Sequence, residues 1–148
     1  MDAYPALLVA HVLGATVWTG GHLVLCLSVL PAALRARDPD PVRRFEAAYE
    51  RIGLPALLLQ VASGLGLAHA LLPAPSALLD GSPMGRVVAT KLVLLAATVA
   101  LALHARLRML PRLDATRLPA LGLHIVVVTL LAVGFVLAGL APRTGLLV

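Results

Sequence analysis

The chain has 148 residues, of which 60% are hydrophobic and only 13% charged. A soluble domain carries about a quarter charged residues, and a chain this short cannot hide so much apolar surface from water. The composition therefore excludes a water-facing globular domain. The net charge of +5, arginine in all but Lys91, falls in short connections and orients membrane segments rather than marking a nucleic-acid partner.

Four apolar runs are predicted as membrane-spanning helices, over residues 5–34, 54–72, 87–107 and 118–141. Each approaches or exceeds the roughly 20 residues needed to cross a bilayer. In lipid such runs must be helical, because every backbone group needs a partner within its own segment. The first run opens after Met1-Asp2-Ala3-Tyr4, with no basic stretch, so no cleavable leader is expected. It carries His11, Trp18, His22 and Cys26 on one stripe. Eleven residues return a helix to within about 20° of its starting direction, roughly 16 Å further along. Cys26 is the one cysteine, so no internal disulfide forms.

The first connection holds Arg35, Arg37, Arg43, Arg44 and Arg51. Residues 41–53 read as an amphipathic extension of the second helix, with Arg44, Glu46, Glu50 and Arg51 on a solvated face. The second run carries His69, with Ala62 and Gly66 on its side. Small residues there would let a flat macrocycle lie close. Arg86 is the one arginine of the second connection, with Lys91 just beyond it. The third run carries His104, the third connection Arg106, Arg108, Arg112 and Arg117, and the fourth run His124. The expected fold is all-α, a single transmembrane domain over residues 1–148 forming a four-helix bundle. The positive-inside rule places both termini on the extracytoplasmic side.

All five histidines lie inside apolar runs. Ionisable groups at membrane depth are costly and usually mark function. By helix rise they sort into two layers: an outer pair, His11 with His69, and an inner trio, His22 with His104 and His124. Two histidines at one depth on different helices can be the axial ligands of haem b. Trp18, Gly66, Arg86 and Lys91 would then be its surroundings. Three converging imidazoles, with Cys26 one turn from His22, match the ligand types of copper. The plainer reading gives each histidine a main-chain carbonyl, Cys26 and Trp18 packing roles, and Lys91 a snorkelling one.

The segment from Leu8 to Gly21, in which His11 precedes Trp18 by seven residues and Gly20 and Gly21 follow, resembles the first helix of CopD-type copper-resistance membrane proteins. Ser63-Gly64, Lys91-Leu92 and Gly139-Leu140-Ala141-Pro142 resemble that family too. The resemblance implies a bacterial inner-membrane protein connected with copper. The His-then-Trp helix, and a Lys then His on the third, are also similar to HemJ-type protoporphyrinogen oxidases. That similarity implies His11 as a haem ligand and Lys91 as a functional residue. The Lys-to-His spacing and the fourth helix depart from that pattern, so the activity is not carried over.

The resulting expectation is a membrane metalloprotein with haem b in the outer layer and copper in the inner one. Its role would be redox chemistry or electron transfer in the lipid bilayer, with a quinone or other redox partner and scope for homo-oligomers. The rival expectations are a copper transporter and a di-haem b-type cytochrome.

Overall fold

The computed structural model describes residues 3–72 and 74–144. Four helices long and apolar enough to cross a membrane account for most of it: α1 (Tyr4–Ala36), α2 (Asp40–Leu71), α3 (Pro83–Arg112) and α4 (Leu118–Thr144). There is no strand among the described residues. Large apolar side chains point outward along every span; Leu27, Val93 and Leu123 are 72%, 69% and 68% exposed. Such a surface is stable against hydrocarbon and not against water.

Short turns build two helical hairpins. Arg37 ends α1 in the left-handed conformation, with φ of 52°. Its N–H and that of Asp38 bond back to carbonyls in the last turn of α1, which satisfies groups a helix end would otherwise leave open. The Asp38 carboxylate then accepts the Asp40 N–H at the start of α2. The other hairpin turns at Asp114, whose carboxylate accepts from the N–H and hydroxyl of Thr116 and the N–H of Arg117. The Thr116 hydroxyl, followed by the Arg117 N–H, holds the Asp114 carboxyl below its ordinary range. A carboxyl lowered in this way supports the turn above the ordinary carboxylate range and releases it only on acidification through the lowered value.

α2 runs unbroken from Asp40 through Pro55 to Leu71. The segment read as an amphipathic extension is thus part of one long helix. Its Glu50 is not merely solvated but pairs with Arg106 of α3.

α1 lies along α2, α3 along α4, and α1 along α4. α2 and α3 do not pack against each other along their lengths, and neither do α1 and α3. The lateral order is therefore α2, α1, α4, α3, an open bundle. All four helices converge only at the arginine-rich end, around Leu25, Leu30, Ala33, Val42, Leu113, Leu118, Leu121 and Ile125. Here α1 and α3 share a device. Each has a π turn, Leu25–Val29 and Ala105–Met109, and each π turn is followed within two residues by a proline, Pro31 and Pro111. A proline ring collides with the carbonyl four residues back. A wider turn just before it lets the helix continue.

Gly14 lets the backbone of α1 come close to that of α2. A Cβ there would stand 2.8 Å from the Ala56 carbonyl oxygen and 2.9 Å from the Gln60 Cβ. Gly14→Ala is therefore expected to force the two backbones apart and destabilise the protein by about 1–3 kcal/mol. Melting temperature in detergent measures this, and an unchanged value would show that the two helices are not so closely packed.

Candidate functional site

His11 projects from α1 onto the small-residue face of α2. Its Nδ1 is 2.9 Å from the main-chain oxygen of Gln60 and 3.3 Å from the Ser63 hydroxyl. A carbonyl can only accept, so Nδ1 carries the proton and donates, which leaves Nε2 with its lone pair. The Cε1 edge of the ring lies over Gly64, where a Cβ would stand 3.0 Å away. Ser63 turns its hydroxyl onto the Leu59 carbonyl at 2.6 Å. The Gln60 side chain is buried, and its Oε1 has no hydrogen-bond partner among the described residues. Lys91 of α3 is within electrostatic reach of His11, with its ammonium beside Gly139 of α4.

His69 is not brought to His11. It is exposed, and no ring contact joins the two among the described residues. Gly66, expected to make room for a macrocycle, is covered by the Leu7 side chain of α1. The physical reason is the close α1–α2 crossing, which fills the space between the two helices with side chains. Arg86 turns into its own connection and donates to the Gly81 carbonyl at 2.8 Å.

The inner trio divides. α1 packs along α4 and not along α3, and no ring contact joins His22 to His104 or His124 among the described residues. His22 instead donates from Nδ1 to the Trp18 carbonyl at 2.9 Å. Its ring lies 4.5 Å from that of Trp18 and 6.0 Å, edge-on, from that of Tyr49. Tyr49 seats its ring against Gly21, donates to the Val17 and Trp18 carbonyls, and stacks on Phe45 at 5.5 Å. His104 and His124 do form a pair, with ring centroids 5.6 Å apart. His124 donates from Nε2 to the Leu101 carbonyl at 2.9 Å, leaving Nδ1 free. Cys26 packs against the apolar core at the arginine-rich end. Among the described residues no three His, Cys, Asp or Glu side chains converge on one point. A closed structural metal cage is not built from them.

Residues that sequence reasoning passed over carry much of this geometry. Gln60, through its main-chain carbonyl, and Ser63, through its hydroxyl, orient His11. Tyr49 fell in the segment taken as solvated. Its signal was the pair Gly21 and Gly53, both of which leave room for its ring.

The profile of the family described as CopD, Copper resistance protein D, matches residues 42–141. The chain belongs to the CopD family. The match spans α2, α3 and most of α4, so His69, His104 and His124 lie within it and His11 and His22 outside. No curated protein and no solved structure matches the chain. As a CopD protein with four apolar spans, it is a multi-pass inner-membrane protein of the lipid bilayer with a copper-related function.

Tyr49 is a structural pin between α1 and α2. Tyr49→Phe is expected to lower stability by about 0.5–1.5 kcal/mol through its lost hydrogen bonds. Gly21→Ala, which puts a methyl into the ring, should cost more, about 1–3 kcal/mol. Thermal melts of both variants check the order. Equal, negligible effects would remove the pin.

Proposed function

We propose that this CopD protein conducts copper within the bilayer, with His11 as one station and the His104–His124 pair as another. Copper is the cargo here, not a resident cofactor. The observation that carries the reading is the state of His11: an imidazole at membrane depth, with one nitrogen fixed by the Gln60 carbonyl and the other left as a lone pair. Metal-binding histidines are oriented in this way, by a second-nitrogen bond to a carbonyl or carboxylate. Imidazole is a suitable ligand for copper. Gln60 also brings an unpaired buried oxygen to the same layer, and a buried polar atom of that kind calls for a partner.

The second station rests on spacing. Two imidazoles sharing one metal at about 2 Å from each ring nitrogen have centroids roughly 5–6.5 Å apart. The His104–His124 separation of 5.6 Å lies in that range. Few ligands per station, and Lys91 within reach of His11, work against long residence of a cation. That suits passage rather than storage. The positive-inside rule places the arginine-rich end in the cytoplasm and both termini outside. His11 then lies toward the extracytoplasmic face and the pair toward the cytoplasm.

A second reading is redox. The run Trp18, His22, Tyr49 and Phe45, with neighbouring rings 4.5–6.0 Å apart, favours electron passage toward the arginine-rich end. It would serve haem b at His11 and His69 and a quinone or other redox partner. The positions of His69 and Gly66 do not favour a macrocycle there.

Copper analysis of the purified protein, loaded with Cu(I), separates the readings. His11→Ala and His124→Ala are each expected to weaken copper binding about tenfold or more, and the double variant to abolish it. Unchanged copper in both single variants would overturn the proposal. A preparation holding one haem per chain, lost in His11→Ala and His69→Ala, would establish the redox reading instead.

A further inference from the structure

We infer that the arginine-rich end carries a binding site for the headgroup of an anionic phospholipid. The site is a cavity of about 340 Å³ where the end of α3 meets the start of α4, bordered by Arg108, Arg112 and Arg117 with Met109, Leu113 and Leu121. This inference rests on the membrane-spanning fold and is independent of the copper reading.

The helix ends create the cavity. The π turn Ala105–Met109 and the tight turn Leu110–Arg112 at Pro111 change the pitch of α3 just before the chain reverses. Arg108, in the π turn, and Arg112, in the tight turn, both border the cavity. Arg117 comes from across the turn. Leu113 and Leu121, each only 3% exposed, form an apolar floor.

The charges are not balanced from within. Arg43 has Asp40, Arg106 has Glu50, and Arg117 has Asp114 at 3.8 Å. Arg108 and Arg112 have no carboxylate partner among the described residues. The wall of the cavity therefore holds three guanidinium groups against one nearby carboxylate. Guanidinium forks match phosphate oxygens two at a time, and basic pockets between membrane helices take anionic headgroups. The lipid assignment, rather than a free anion, follows from where the cavity sits, at the end of two membrane-spanning helices. The helix surface next to it in sequence is apolar and exposed, at Leu107 (67%) and Leu123 (68%), and would face acyl chains.

The test uses the whole protein in neutral detergent, with phosphatidylglycerol, phosphatidylcholine or inorganic phosphate added at equal concentration. Phosphatidylglycerol is expected to raise the melting temperature by about 3 °C or more, and the other two to leave it unchanged. Arg108→Gln/Arg112→Gln removes exposed side chains only, so the fold should survive, and the shift should fall by half or more. Arg35→Gln/Arg37→Gln, equal in charge loss but away from the cavity, should keep the full shift. Native mass spectrometry gives a second measure: the Arg108→Gln and Arg112→Gln single variants should each retain less phosphatidylglycerol than the unaltered chain. An equal shift and equal lipid retention in the Arg108/Arg112 variants would overturn the site. So would a full shift with phosphate alone, which would make it a free-anion site, or with phosphatidylcholine, which would make the headgroup irrelevant.

Discussion

An imidazole buried in hydrocarbon must give its N–H to an acceptor, and in this chain the acceptor is repeatedly a main-chain carbonyl. His11 donates to Gln60, His22 to Trp18 and His124 to Leu101. Leaving such a donor unpaired in a medium without water costs several kcal/mol, so these bonds are close to obligatory. They also fix the tautomer. Each bond decides which ring nitrogen keeps a lone pair and where it can be offered. The same bond that makes a buried histidine tolerable makes it a pre-oriented ligand. The two roles differ only in whether the second nitrogen meets anything.

Helix contact then separates the three histidines. Gly14, Gly21 and Gly64 let α1 and α2 approach so closely that side chains of one lie on the backbone of the other. This brings His11 under the control of α2 and clamps Tyr49 between the helices, and it leaves no gap for a flat group beside Gly66. α4 faces both ways: Thr129 reaches the His22 carbonyl of α1 at 3.3 Å, while His124 reaches α3. The His104–His124 pair therefore belongs to the α3–α4 hairpin, and His22 to the α1–α2 hairpin. Two hairpins joined along α1 and α4, with α2 and α3 not packed along their lengths, give an open bundle.

The four spans and their helical state were legible in the sequence, because hydrophobic length against a bilayer leaves little choice. The connection holding Arg35 and Arg37 was legible as the charged gap after the first apolar run. The start of α2 was legible too: residues 41–53 read as an extension of the second helix, which begins at Asp40. The pairing of Glu50 with Arg106 was not, because that face read only as solvated. Depth along the membrane was readable by counting residues, so the histidine layers could be proposed. Adjacency was not. Whether α1 neighbours α3 depends on which faces carry the close-packing glycines, and periodicity alone cannot rank those faces. That is why His104 with His124 came together and His22 did not. The partner of His11 was hidden for the same reason: a main-chain oxygen leaves no mark in the sequence.

The central claim is that copper meets imidazole nitrogen inside this bundle. X-ray absorption at the copper edge of the Cu(I)-loaded protein tests it most directly. The account predicts a low-coordinate shell of nitrogen with the outer-shell pattern of imidazole, diminished in His11→Ala and in His124→Ala. A sulfur shell, from Cys26 or the methionines, or a spectrum indifferent to both substitutions, would contradict it.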